Sequence, residues 1–241
     1  MIKNIFLDAG YTLICPKAHS WFFPVNFFDY CDKNLFLKIK ESDEYKKNFA
    51  KGYKYLDDNH LLKDEKNEYD VFLDFYKILL LPFPELEITE EKIKNITKSI
   101  VFDYAKFNLY DDVKIMLKKW KSEGYKLGII SDTFPSLANC FKYLKIYDYF
   151  DVFVMSCDHG IWKPHETMYL SALNPLNAKG EESVFVDDFA VNLKGAAGFS
   201  INPIQIIRKG YPFSTPVSEL ELEIYPKFEN LIEIDGYIRE L

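Results

Sequence analysis

Five polar side chains in this chain stand at or just after apolar stretches, and together they could carry out phosphoryl transfer. Asp8 and Ser131 each end such a stretch, the pair Asp187 and Asp188 follows another, and Lys163 lies in a loop before a proline. A carboxylate can attack phosphorus once nearby cations lower the charge barrier. Mg²⁺ takes oxygen ligands and keeps several waters, so one or two carboxylates hold it. A carboxylate, a hydroxyl, a lysine and paired carboxylates are the groups that Mg²⁺-assisted phosphoryl transfer needs.

The stretches that carry these side chains predict a buried parallel sheet. A continuous apolar run is typical of a strand that is covered on both faces. Strands alternating with helices form βαβ units, and ligands bind outside the carboxyl ends of such strands. The predicted strands are 3–8, 125–131, 152–156, 183–187 and 204–207, and the predicted helices beside them are 113–123, 135–144, 165–173 and 190–197.

The stretch 21–104 has a different residue pattern, which predicts a block of about four helices. Its apolar residues recur at helical spacing, for example within 69–80. Pro82 ends that helix, and Thr89 followed by acidic residues predicts the start of another. Because the first strand belongs with the later ones, this helical block is an insertion into the sheet domain.

We therefore predict an α/β fold with a doubly wound parallel, Rossmann-like sheet core and an inserted α-helical cap domain. The predicted core comprises residues 1–15 and 105–241, and the predicted cap comprises residues 16–104. After Tyr211 the pattern predicts a loop and then a short helix near 229–232.

Composition narrows the classes of partner. The 241 residues are 48% hydrophobic and carry a net charge of −7, and no long basic stretch occurs, so nucleic acid and anionic membranes are poor partners. Apolar runs such as 78–81 are too short to cross a bilayer. The chain starts directly with a strand and its four cysteines are scattered, so we expect a reduced, cytoplasmic protein without a signal peptide or disulfides.

Four short motifs in order resemble those of the haloacid dehalogenase-like hydrolases, in the branch with a helical cap after the first motif. The motifs are FLDAGYTL at 6–13, IISD at 129–132, KPH at 163–165 and VDDFAVN at 186–192, which runs on to GAAG at 195–198. Each motif is loose, but the ordered set with these spacings is specific.

The resemblance implies a role for each matching residue. Asp8 would be the nucleophile that forms an aspartyl-phosphate, Ser131 would bind the phosphoryl oxygens, and Lys163 would neutralise charge and hold Asp8. Mg²⁺ would be held by Asp8, Asp188 and the Gly10 carbonyl, with Asp187 in the same shell or behind it. The predicted substrate-binding residues are Thr12, Ser131, Asp132 and Lys163. Thr12 would contribute by holding the loop after Asp8. Asn192 would orient the loop after the last motif.

Gly10 departs from the pattern of family phosphatases, which usually carry there a second Asp that protonates the leaving group. General acid–base assistance is worth roughly 10²- to 10⁴-fold. Three interpretations stay open: a phosphatase of a small phosphorylated metabolite, slower or with a substitute proton carrier; a dehalogenase- or phosphonatase-type hydrolase; or a non-catalytic ligand-binding or regulatory protein. The candidate substitute proton carriers are Tyr11, His19, Asp132 and His165.

The aromatic residues early in the helical block have two possible roles. They either line a substrate pocket or form the core of the cap; they are Trp21, Phe22, Phe23, Phe27 and Phe28. The cap is expected to close over the site and select the substrate. The histidines outside the motifs, His19, His60 and His159, are interpreted first as surface or packing residues. The expected assembly is a monomer or homodimer.

Overall fold

A computed structural model describes residues 1–208 and 225–241, in two sheets with helices on both faces of the larger one. The strands are β1 (Asn4–Leu7), β2 (Ile14–Pro16), β3 (Phe107–Leu109), β4 (Lys126–Ser131), β5 (Val152–Met155), β6 (Ser183–Asp187), β7 (Asn202–Ile206) and β8 (Lys227–Phe228). The helices are α1 (Lys33–Lys40), α2 (Asp43–Asp58), α3 (Glu65–Leu80), α4 (Glu90–Phe102), α5 (Val113–Ser122), α6 (Ser136–Tyr143), α7 (Ser156–His159), α8 (Glu166–Leu173), α9 (Ala190–Ala197) and α10 (Leu231–Ile238).

The larger sheet has six parallel strands in the order β5-β4-β1-β6-β7-β8. The chain moves outward from β1 to β4 and β5, then returns to the other side of β1 for β6. This reversal makes β1 the switch point of the sheet, and a crevice opens at its carboxyl end. The predicted doubly wound parallel core is confirmed.

Alternating side chains of the central strands supply two separate cores, one on each face of the sheet. Ile5 and Leu7 of β1 pack in a cluster with α5, α6 and α10, whereas Phe6 packs on the other face with α8 and α9. Side chains of a strand point alternately to the two faces, so a sheet covered on both needs apolar residues at every position. All four residues of β1 are buried.

The helices α1–α4 lie between β2 and β3, which pair antiparallel as a two-stranded ribbon. They have an apolar cluster of their own, in which α2 packs on α3 and α3 on α4. This helical cap confirms the predicted insertion. We keep the boundaries at residues 16 and 104 as a proposal, which the positions of β2 and β3 support.

Local signals placed most helix ends to within a residue or two. Thr89 caps α4 by accepting a hydrogen bond from the Lys92 amide (3.3 Å), and α3 ends before Pro82. The sequence patterns missed β2, β3 and β8, which are two or three residues long. The predicted helix near 229–232 is α10, two residues later and longer, whereas the stretch 211–224 of the predicted loop lies outside the described residues.

No helix in residues 1–208 or 225–241 is long and apolar enough to cross a membrane.

Candidate active site

Three neighbouring strands deliver the predicted catalytic groups to one crevice. Asp8 directly follows β1, Ser131 ends β4 and Asp187 ends β6, and these strands lie side by side. All three side chains are buried, yet each lines the same large cavity between the sheet and the cap. The parallel topology therefore brings together residues that are up to 179 positions apart.

Lys163 joins two of these carboxylates through one buried ammonium group. Its Nζ lies 2.6 Å from Asp8 Oδ1 and 2.7 Å from Asp187 Oδ2, and its side chain is only 1% exposed. Burial alone would lower the pKa of Lys163, but the charges of Asp187 and Asp8 raise it well above its ordinary value. Asp132 holds the backbone of this loop by accepting a hydrogen bond from the Lys163 amide (2.8 Å). Lys163 is thus a fixed cation beside Asp8.

The environment of Asp8 opposes its ionisation. Burial and the charge of Asp187, only partly offset by Lys163, raise the pKa of Asp8 to about 7. A carboxylate held this way is poorly solvated, and a nearby cation would favour its ionised form.

Asp187 is occupied by protein partners, which favours its predicted place behind the metal-binding shell over a place within it. Its Oδ2 accepts from Lys163 and from Asn192 Nδ2 (3.1 Å), and its Oδ1 accepts from the Phe189 amide (2.7 Å) and from the same Asn192 amide group (3.2 Å). Both oxygens are committed, so Asp187 lies behind the site and orients Lys163. Asn192 holds the Asp187 carboxylate through these two contacts, and its role in orienting the loop stays a prediction.

Asp188 has the surroundings of a cation ligand. Burial and the charges of Asp187 and Asp8 raise the pKa of Asp188 well above its ordinary value, and the charge of Lys163 only partly offsets them. Gln205 Nε2 donates to its backbone carbonyl (3.0 Å) and fixes its position. A divalent cation would relieve the repulsion among these carboxylates.

Asp8 and Asp188 both line the cavity and offer carboxylate oxygens that fit Mg²⁺, whereas the Gly10 carbonyl stays a predicted ligand. The described part of the chain contains no group of three or more His, Cys, Asp or Glu side chains that could hold a metal ion by themselves. Mg²⁺ usually binds proteins through one or two carboxylates and keeps several waters, so two carboxylates suffice.

Thr12 does not reach the cavity, which departs from its predicted place in the binding set. Its side chain is fully buried, and its carbonyl accepts hydrogen bonds from Arg208 Nε (3.1 Å) and Nη2 (2.7 Å). Arg208 also pairs with Asp112 (2.7 Å) and lies over the Tyr110 ring. The Thr12 carbonyl thus ties the loop after Asp8 to Arg208.

Trp21 stands where a side chain at position 10 would have to go. A Cβ atom built on Gly10 would lie 3.2 Å from two indole carbons of Trp21 and 3.9 Å from Asp8 Oδ2. The indole itself packs edge-on against Tyr11 and at a tilt of 51° against Phe107. An acidic side chain at position 10 therefore requires the indole to move.

The structure separates the four candidate proton carriers. Tyr11, His19 and Asp132 line the cavity. His165 instead caps α8, where its Nδ1 accepts from the Thr167 amide (3.3 Å), and its exposed ring lies outside the cavity lining. His165 is therefore ruled out by position.

The cavity has a volume of about 1420 Å³ and extends from Asp8 into the cap. All five early aromatic residues line it, so both predicted roles apply. Phe27 is a buried core residue, Trp21, Phe22 and Phe23 are half-buried, and Phe28 is 41% exposed. Of 45 lining residues, 15 are Phe, Tyr or Trp, one third against 17% in the whole chain.

Sequence reasoning missed a buried cluster that ties the cap to the core at the cavity wall. Glu68 of α3 accepts hydrogen bonds from the amide and hydroxyl of Ser136, both at 2.7 Å. Lys106 Nζ donates to the same hydroxyl (2.9 Å) and to the Ile100 carbonyl. The available signal in the sequence was a Glu with aromatic neighbours on the buried face of a helix. Its partners Lys106 and Ser136 lie 38 and 68 residues further along the chain, so a local pattern does not connect them with it.

The buried carboxyl group of Glu68 is expected to make the stability of the folded protein depend on pH. Burial raises the pKa of Glu68 to about 7, although Lys106 and Ser136 lower it. The unfolded chain loses this proton near pH 4.5, so the folded state binds more protons between pH 4.5 and 7, and stability falls as pH rises. We expect the free energy of unfolding of the native protein to fall by about 3 kcal/mol more than that of Glu68→Gln when the pH rises from 5 to 8. Urea unfolding at both pH values measures this difference. Exposed Glu44→Gln is the control, and parallel curves for both variants would contradict the prediction.

Comparisons with known proteins agree with this architecture. A model of the haloacid dehalogenase-like hydrolase family matches residues 26–199. (S)-2-haloacid dehalogenase 4A of Burkholderia cepacia is 30% identical over 123 residues, which cover 51% of this chain and 53% of that protein. Pyrophosphatase PpaX of Bacillus cereus (strain B4264) is 33% identical over 122 residues, which cover 45% and 56%.

The matched stretch spans about half the length of these curated relatives. A solved dehalogenase structure aligns with a TM-score of 0.68 and 21% identity, over 98% of this chain and 96% of that one, which shows the same fold. The relatives include a haloacid dehalogenase and a pyrophosphatase. Similarity therefore supports both reaction classes equally.

Proposed function

Because this chain belongs to the haloacid dehalogenase-like hydrolases, we propose that it is a Mg²⁺-dependent phosphatase of a small phosphorylated metabolite. The observation that carries the proposal is the crowding of carboxyl groups at Asp8, Asp187 and Asp188 around the ammonium group of Lys163. Attack by a carboxylate on a phosphoryl dianion needs additional positive charge, and this donor set suits a divalent cation. Attack on a carbon–halogen bond has no such dianion to shield.

In the proposed reaction a carboxylate oxygen of Asp8 attacks phosphorus. The new bond joins this oxygen to phosphorus, and the ester P–O bond breaks with its electrons passing to the leaving oxygen. Ser131 would donate its hydroxyl to a phosphoryl oxygen, and Lys163 would neutralise the negative charge that develops. Water then attacks phosphorus, the bond between phosphorus and the Asp8 oxygen breaks with its electrons returning to the carboxylate, and the proton that water loses reaches the departed alkoxide through solvent, which yields inorganic phosphate and an alcohol. Mg²⁺ bound at Asp8 and Asp188 would supply charge neutralisation and orient the phosphoryl group.

Hydrolysis of p-nitrophenyl phosphate tests the proposal, because its leaving group scarcely needs a proton. We expect activity that depends on Mg²⁺ and disappears with chelator. Halide release from a 2-haloacid without metal would instead support the dehalogenase, which the Burkholderia relative favours. Ligand-induced thermal stabilisation without turnover of any of these compounds would support the binding protein.

Restoring an acid at position 10 is expected to help only when Trp21 is also removed. Gly10→Asp alone should leave hydrolysis of glycerol 3-phosphate within about threefold of the native rate, because the indole fills the required space. Gly10→Asp with Trp21→Ala should raise it at least about tenfold, since an alkoxide leaving group needs a proton. Steady-state kinetics with Trp21→Ala as control measures this. A rise of about tenfold in Gly10→Asp alone would refute the explanation that the Trp21 indole blocks an acid at position 10.

A further inference from the structure

One face of α2 carries a row of aromatic side chains that leads toward the catalytic groups. Tyr45, Phe49 and Tyr53 recur every four residues, so they lie on the same face of the helix, and all three line the cavity. Tyr45 is buried in the cap core, Phe49 is half-buried and Tyr53 is 49% exposed. The row thus becomes more exposed toward its carboxyl end.

The end of this row is tied to the catalytic loop. Asp57, four residues after Tyr53, accepts a hydrogen bond from Trp162 Nε1 (2.5 Å), and Trp162 directly precedes Lys163. Tyr53 lines the same cavity as Asp132 and Lys163. It therefore faces the crevice between the cap and the core.

Further rings complete a rigid aromatic wall. Phe22 packs edge-on against Phe49 (5.3 Å between centroids) and against Tyr53 (6.0 Å), and its carbonyl accepts a hydrogen bond from Tyr76 Oη (2.6 Å). On the core side, Trp162 stacks on the buried His60 ring at 3.4 Å with planes 17° apart. His60 is a packing residue, as predicted, and it holds the indole in place.

We propose that the wall formed by Phe22, Phe49, Tyr53 and Trp162 binds an aromatic ring in the organic part of the phosphorylated substrate. Half-exposed aromatic side chains gain most from another ring, which they contact edge-on or offset at 4.5–7 Å. The wall runs up to Lys163, so a ligand that presents phosphate to Asp8 would place its organic part here. This inference rests on the proposed phosphatase function and names its substrate class, an arylalkyl phosphate ester.

Binding of matched phosphonates tests the substrate class without turnover. Isothermal titration calorimetry with Mg²⁺ would compare 3-phenylpropylphosphonate, 3-cyclohexylpropylphosphonate and 3-hydroxypropylphosphonate. We expect the phenyl compound to bind about tenfold more tightly than the hydroxyl compound and several-fold more tightly than the cyclohexyl compound. Equal affinity of the phenyl and cyclohexyl compounds, or no preference over the hydroxyl compound, would overturn the inference.

Substitutions test whether the preference for the phenyl compound comes from this aromatic wall. Tyr53→Ala should reduce the tenfold preference to about twofold, whereas Tyr53→Phe, which keeps the ring, should retain it. Tyr143→Ala is the matched control, because Tyr143 is 57% exposed on α6 and lies outside the cavity lining. A preference unchanged in Tyr53→Ala would overturn the assignment to this wall.

Hydrolysis of acetyl phosphate, which carries no ring, separates this inference from the proposed function. Mg²⁺-dependent hydrolysis without any phenyl preference in binding would support the phosphatase and refute the aromatic wall. A phenyl preference that is lost in Tyr53→Ala, without hydrolysis, would support the wall and refute the phosphatase.

Discussion

Asp8→Asn is expected to lower phosphate monoester hydrolysis by at least about 10³-fold, because the amide cannot attack phosphorus as a carboxylate does. The amide oxygen can still accept the hydrogen bond from Lys163, so the pocket should keep its geometry. The measurement is kcat/KM for p-nitrophenyl phosphate at saturating Mg²⁺.

A stability measurement excludes unfolding as the cause of that loss. Burial raises the pKa of Asp8 to about 7, so ionised Asp8 destabilises the folded state above pH 7 without metal. The neutral amide removes this cost, and Asp8→Asn should unfold at pH 8 at the native temperature or above. Asp58→Asn is the control, since Asp58 is 54% exposed in its pair with Lys54. Residual activity within tenfold of native would exclude Asp8 as nucleophile.

Lys163→Met is expected to destabilise the protein by about 3 kcal/mol as well as to reduce activity at least about 10²-fold. The change leaves Asp8 and Asp187 buried without their shared cation, and an uncompensated buried charge costs far more than a surface ion pair contributes. Urea unfolding at pH 7 measures the first effect, and p-nitrophenyl phosphate kinetics measures the second.

Lys3→Met is the matched control for that variant. Lys3 also pairs with a carboxylate at 2.7 Å, that of Glu182, but its side chain is 61% exposed. Solvent screens such pairs, so we expect a loss below about 1 kcal/mol. Equal losses in the two lysine variants would contradict the buried role of Lys163.

Local signals predicted the elements of the sheet domain, because each depends on neighbouring residues. The unbroken apolar run at β1 predicted a strand covered on both faces. Helix α5 ends just before Gly124, whose left-handed backbone (φ +89°) suits glycine. The resemblance in ordered motifs identified Asp8, Ser131 and Lys163, which the parallel topology then brought to one crevice.

The structure alone decided what each group does there. Two adjacent aspartates in a sequence look alike, but the fold commits both oxygens of Asp187 to Lys163, Asn192 and Phe189 and leaves Asp188 to face the charge of Asp8. Hydrogen-bond geometry and burial depend on the packing of distant elements, which no local pattern records.

The sequence by itself determined the core, its strand ends and the position of the helical insertion, since hydrophobic patterning and chain connectivity specify these. Only the tertiary structure decided that Trp21 fills the space beside Gly10, that Thr12 is sealed behind Arg208 and that Tyr53 lines the same cavity as Lys163. Each of these contacts joins segments at long sequence separation, and its geometry is set by how the cap sits on the sheet.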